Sequence, residues 1–211
     1  MMKQEGEVTI PSVASIWAIA WPMMLTYVSV PLMGFASVAV MGHLDDARYL
    51  AGVGLATNFF AFFYFLFAFI RWSSTGLSAQ AKGRALVSDG NDALAIVLLR
   101  GLSVGLGIGL AIVLLRQPLG HVIFGLMTND VELQQEAQLY AAGRMFGAPA
   151  LLGTYALTGW FIGSGRPRAV IGMTISANLA NVALLILFVV GLDKRSYSAG
   201  IATSLAEWLG L

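Results

Sequence analysis

The chain has 211 residues, of which 58% are hydrophobic and 11% charged; a soluble domain carries about 25% charged residues, so polar side chains are too few to cover a water-soluble globule. Twelve Lys and Arg against eleven Asp and Glu give a formal net charge of +1, which excludes the basic footprint of a nucleic-acid-binding protein. With no cysteine and two separated histidines, His43 and His121, there is no disulfide framework, no thiol nucleophile and little from which to build a metal site.

A helix crosses the hydrocarbon core of a bilayer with about 20 apolar residues. Val8 to Gly42 contains no charge, and a long first helix is expected over Ser15 to Met41, bent at Pro22 or Pro31 because a helical proline removes a backbone hydrogen bond. A second span is expected from Leu50 to Gln80, with an aromatic run from Phe59 to Phe69 and one embedded charge, Arg71. The third covers Ala93 to Leu115, the fourth Tyr140 to Ile162 and the fifth Ala169 to Leu192. A sixth begins near Ser198 and is still helical in pattern at Leu211. The chain is therefore expected to stop inside that helix, as a piece of a longer protein.

Connections carry nearly all the charge: His43 to Arg48, Lys82 to Asp92, Arg116 to Glu136, Arg166 to Arg168 and Asp193 to Arg195. Gly163, Gly165 and Pro167 supply turn chemistry between the fourth and fifth helices. The stretch from Asn129 to Glu136 has the form of an N-cap followed by an acidic first turn. With a cytoplasmic N-terminus, the inside loops hold Lys3, Lys82, Arg84, Arg166 and Arg168, against Arg48, Arg116, Lys194 and Arg195 outside, and this bias sets the expected orientation.

Polar groups persist inside a membrane bundle at a cost, so they direct the search for function. Thr26, Ser29 and Ser37 share one face of the first helix. On the fifth, Thr174, Asn178 and Asn181 follow steps of four and three, with Leu185 next on the same stripe. The fourth offers Thr154, Tyr155 and Thr158, and the sixth Thr203 and Glu207. Hydroxyls in such places commonly bond the carbonyl four residues back or sit at close helix crossings. Carboxamides have more sites to fill, and the stripe of Asn178 and Asn181 is expected to line a cavity. Gly101, Gly105 and Gly109 repeat every four residues, the spacing of a close helix–helix contact. Glu207 is an acid well inside a span and a candidate ion-coupling group.

The segments Ala20-Trp21-Pro22-Met23, Pro31-Leu32-Met33-Gly34, Met41-Gly42-His43-Leu44, Tyr49-Leu50-Ala51-Gly52-Val53 and Phe69 through Gln80 stand in a recognisable order. Leu157-Thr158-Gly159-Trp160, Asn178-Leu179-Ala180-Asn181 and Ala199 through Thr203 follow with agreeing spacing. Together they resemble the N-terminal half of a multidrug and toxic compound extrusion (MATE) transporter, closest to its DinF-like subgroup. The resemblance implies an all-α polytopic membrane protein of twelve helices in two six-helix lobes, with residues 1–211 as the N-lobe and the C-terminal lobe missing. It implies a transporter rather than an enzyme, in the bacterial inner membrane. Such a protein exchanges a proton or sodium ion for small organic, often cationic, compounds and carries no other cofactor. Pro22 matches the family's bending proline. Asn178, Asn181 and Thr203 match family polar positions, and with Ser37, Thr158 and Thr174 they would line the N-lobe cavity.

Two positions depart from the family pattern. Membrane-embedded aspartates are expected where this chain has Ser37 and Leu185, so both titratable groups are absent. Two other readings follow. A lipid-linked oligosaccharide flippase of the same superfamily would use a basic cavity, to which Arg71, Arg100 and Arg144 could contribute. A degenerate membrane fragment would not transport at all.

Overall fold

The computed structural model describes residues 47–85, 92–191 and 196–211, together with Ser12, Val13, Trp17, Ala20, Trp21 and Met24. Pro22 and Ser37, and most of the expected first helix with them, lie outside the described residues. Among the described residues every regular element is helical: α1 (Ala47–Phe65), α2 (Phe69–Ala85), α3 (Asp92–Leu114), α4 (Arg116–Met127), α5 (Val131–Arg144), α6 (Ala148–Gly163), α7 (Pro167–Leu185) and α8 (Ser196–Gly210). Four stretches are long and apolar enough to cross a membrane: Arg48–Ala85, Asp92–Leu114, Val131–Gly163 and Pro167–Val189.

The expected second span is two helices, because Phe67, Ala68 and Ile70 each bond a carbonyl three residues back. No proline or glycine stands there, and nothing in the local sequence accounts for the tightening. The third span ends as expected, at Leu114. The connection expected from Arg116 to Glu136 instead contains α4. Pro118 explains the break between α3 and α4: it has no N–H to give the Leu114 carbonyl, and its ring crowds that carbonyl. Arg116 closes the end of α3 by donating from Nη1 to the Val113 carbonyl at 3.2 Å.

The fourth span starts earlier than expected. Asp130 caps α5, its carboxylate accepting from the amides of Glu132 at 3.0 Å and Leu133 at 3.2 Å. Asp130→Ala is expected to cost about 1 kcal/mol of stability, measured by chemical unfolding in detergent. Between α5 and α6 the chain tightens into a 3-10 turn, Met145–Gly147, where the Ala148 amide bonds Met145. Pro149 is the cause, since it offers no amide to the Met145 carbonyl. Beyond α6, Gly165 adopts φ +76°, Arg166 donates back to Phe161 at 2.7 Å and Gly165 to Ile162 at 3.0 Å. Helices commonly close with this left-handed glycine cap, and Pro167 then opens α7.

Helices in lipid gain little from hiding apolar surface from one another, so small residues that admit close backbone contact decide the packing. The glycine stripe of α3 does this against α6. A Cβ on Gly101 would lie 3.2 Å from the Ala156 Cβ, and one on Gly105 would lie 2.6 Å from the Leu152 carbonyl oxygen. Gly159 and Gly163 of α6 lie against the α2 backbone in the same way, so α6 is held between α2 and α3. Gly143 and Gly200 face each other's helices where α5 meets α8, and α8 in turn packs on α7. Lys82, near the end of α2, donates to the Ser164 carbonyl at the end of α6, at 2.8 Å. That bond brings Lys82 to the same end of the bundle as the α6–α7 turn with its Arg166 and Arg168.

Candidate functional site

Helix α8 buries two faces. Ala199, Thr203, Ala206 and Gly210 recur at helical spacing and are buried, with Gly210 set against Ala177 of α7. Gly200, Ser204 and Glu207 form the adjoining stripe, which meets α5 and the 3-10 turn. The Ser204 hydroxyl sits 2.8 Å from the Gly143 carbonyl and 2.9 Å from the Arg144 carbonyl, joining α8 to the last turn of α5.

On this second face Glu207 Oε2 and Arg144 Nη1 form an ion pair at 2.5 Å, with side chains only 10% and 12% exposed. The guanidinium lies over two ring faces of α1, 5.8 Å from the Phe60 centroid and 5.4 Å from that of Tyr64. Phe60 and Tyr64 stack on each other at 5.4 Å, and Tyr140 of α5 adds a tilted contact to Phe60. The Tyr64 hydroxyl is buried without a hydrogen-bond partner among the described residues. Gly147 makes the approach of Glu207 possible, because a Cβ there would collide with the carboxylate. The cluster therefore joins a carboxylate, a guanidinium and aromatic faces, and only an excellent geometry offsets the desolvation of the two charges.

The expected cavity residues divide by how they are satisfied. The Thr174 hydroxyl donates to the Val170 carbonyl at 2.9 Å and that of Thr203 to Ala199 at 3.0 Å, the local bonding that hydroxyls in helices adopt. Asn178 is partly buried and partnered, and Thr158 is partly buried on α6. Asn181 differs: it is 1% exposed, and among the described residues neither its amide nitrogen nor its oxygen has a partner. Leu185, one turn on, is equally buried. Since α7 and α8 lie side by side with Gly210 against Ala177, counting back along antiparallel helices brings Thr203 level with about the Asn181–Leu185 turn.

Of the arginines suited to a basic cavity, Arg144 is neutralised by Glu207 and Arg100 is exposed on α3. Neither the pairing of Arg144 with Glu207 nor the use of Phe60 and Tyr64 as its walls is evident from the sequence. The aromatic run supplies the only local signal: its residues at a spacing of four share one face, and Phe60 and Tyr64 are buried while Phe62 and Phe65 are exposed.

Apolar spans, glycine-mediated crossings and buried polar groups on α7 and α8 define a polytopic helical membrane protein. The MatE family model matches residues 22–187, and the chain belongs to that family. It is 34% identical to DNA damage-inducible protein F of Escherichia coli (strain K12) over 197 residues, covering 93% of this chain and 42% of the relative. It is 26% identical to a probable multidrug resistance protein NorM of Acinetobacter baylyi over 200 residues, covering 93% and 43%. A crystal structure of MATE in complex with MaD3S shares the fold, with a TM-score of 0.77 at 23% identity over 93% of this chain and 43% of that one. The chain thus spans less than half the length of the relatives it matches.

Proposed function

We propose that residues 1–211 form the N-terminal lobe of a secondary active exporter that exchanges a proton or sodium ion for small organic, often cationic, compounds. Asn181 carries this reading. A buried amide with both polar atoms unpaired costs about 1–3 kcal/mol, and buried polar groups are nearly always satisfied, so its persistence in the bundle argues for a ligand that completes it. By resemblance to the family, Thr158, Thr174, Asn178, Thr203 and Ser37 are assigned to the same cavity as Asn181, and Pro22 to the bending of the first helix. With serine and leucine where the family places acids, Glu207 is the carboxylate assigned to ion coupling and Arg144 its positioning partner. The end of the bundle that carries Lys82, Arg166 and Arg168 is assigned to the cytoplasmic side of a bacterial inner membrane, in keeping with five Lys and Arg on that side against four on the other.

The whole protein, expressed in an efflux-deficient host, is expected to extrude a cationic dye such as ethidium under a proton or sodium gradient. Asn181→Leu is expected to slow export by at least about tenfold while leaving thermal stability unchanged or raised, since it removes an amide that has no partner among the described residues. Absence of export with either gradient would overturn the reading.

A further inference from the structure

We infer that the groove between α3 and α8 is a binding site for one anionic phospholipid. Two adjoining cavities carry the inference. The first is an open groove of about 470 Å³ whose walls include Leu110 and Val113 of α3, Phe146 of the 3-10 turn, and Ile201, Leu205 and Trp208 of α8. Its walls are almost wholly apolar, and of the two hydroxyls lining it, that of Ser204 is already engaged with backbone carbonyls and the other belongs to Tyr197. The second holds about 280 Å³ and is polar, lined by Arg116, Gln117, His121 and Gln138. Gly120 also lines it, and a Cβ there would meet none of the described residues within 4 Å, so the space is open.

Arg116 joins the two. Its guanidinium carbon lies 4.5 Å from the centroid of Phe146, a wall of the groove, while the same side chain lines the polar cavity. Among the described residues no carboxylate lies within ion-pairing distance of it. A cation held at the mouth of an apolar groove, with amide and imidazole groups around it, is complementary to a molecule with an anion at one end and hydrocarbon at the other. Guanidinium groups bind phosphate through paired N–H donors.

The depth agrees. Arg116 lies just beyond Leu114, where the membrane-crossing stretch of α3 ends, which is the level of the headgroups. Gly105 faces Leu152 and Gly109 faces Pro149, so α3 runs opposite to α6; Gly200 faces Tyr140 and Gly147 faces Ser204, so α8 runs with α5 and α6. Arg116 and Tyr197 therefore mark one end of the groove, and Leu110 and Trp208 the other. From Tyr197 to Trp208 the helix rises about 16 Å, close to the ~15 Å depth of one leaflet's hydrocarbon. An acyl chain laid against Leu110, Ile201 and Leu205 would then place its phosphate at Arg116 and His121.

The test uses the whole protein, delipidated in a neutral detergent and titrated with phosphatidylglycerol, phosphatidylcholine or inorganic phosphate. Native mass spectrometry counts bound lipid, and thermal unfolding reports its effect. The expected result is one retained phosphatidylglycerol, binding at least about tenfold more weakly to Arg116→Gln and with a smaller loss to Arg116→Lys, which keeps the charge but not the paired donors. Leu205→Trp, which fills the groove and leaves Arg116 intact, is expected to weaken it too. Arg116→Gln also removes a helix-end bond, so His121→Leu, away from that bond, provides a second reading of the polar cavity. Equal retention of phosphatidylcholine, displacement by millimolar inorganic phosphate, or unchanged lipid binding in folded Arg116→Gln and Leu205→Trp would each overturn the site.

Discussion

Glu207→Ala is expected to destabilise the protein by about 3–5 kcal/mol, because it leaves the Arg144 charge buried with no counter-charge. The side chains of the pair are 12% and 10% exposed, so water cannot take the place of the missing carboxylate without opening the contact between α5 and α8. Phe60 and Tyr64 give the guanidinium only ring faces, and a desolvated cation over an aromatic ring recovers on the order of 2 kcal/mol, less than the loss of the counter-charge costs. Arg144→Met is expected to cost a similar amount from the other side. The double variant Arg144→Met, Glu207→Leu should regain most of the loss, as exchanges of buried ion pairs for apolar pairs do. Reversible unfolding of the four proteins in detergent completes the cycle. If each single variant loses less than about 1 kcal/mol, the pair is not buried in the folded protein. By contrast, the exposed Arg48–Glu132 pair, 2.6 Å apart with both side chains over 60% exposed, is worth at most about 1 kcal/mol.

That contrast explains what the sequence can reveal. Charge placed in a connection is read by its absence from an apolar run, and the end of α3 and the glycine cap before α7 are legible on that basis. A charge inside a span is ambiguous, because a lone Arg144 can snorkel, line a cavity or find a partner. Only the packing of α5 against α8 tells these apart, and that packing depends on Gly143 and Gly200 meeting across many intervening residues. Helix α4 is hidden for a different reason. It has twelve residues and includes Pro118, Gly120 and Gly125, a composition that reads as a loop; it is helical because Phe124 packs fully buried in the core. The kink before α6 is written in the sequence as Pro149. The break at Leu66–Ala68 is not written anywhere local. The polar stripe on α7 is visible from its period alone, but whether each side chain is satisfied is a tertiary fact: Thr174 bonds its own helix, while Asn181 bonds nothing among the described residues.

Substituting Gly105 is expected to have the second large effect, because its neighbour cannot move aside. The Cβ of Gly105→Ala would stand 2.6 Å from the Leu152 carbonyl oxygen and 2.8 Å from its carbon. Both are backbone atoms in the middle of α6, and α6 is held from its other side by α2 at Gly159 and Gly163. A flexible side chain could swing away; a helix wedged between two others can only be displaced whole. The methyl group should cost about 1–3 kcal/mol, the usual range for overpacking, and Gly105→Val more. At Gly107, two residues away, an added methyl group would meet none of the described residues within 4 Å. Gly107→Ala should therefore be neutral or slightly stabilising, since alanine favours helix by up to about 1 kcal/mol over glycine. Comparing the two alanine variants by unfolding in detergent isolates close approach from helix propensity. Equal stability of the two would mean that α3 and α6 do not touch along the glycine stripe. A displaced α6 would carry Pro149 and the adjoining 3-10 turn with it and so disturb the seat of Arg144 and Glu207. Gly105→Ala should consequently weaken that ion pair as well, and the energetic coupling between Arg144→Met and Glu207→Leu should fall when the cycle is repeated in its background.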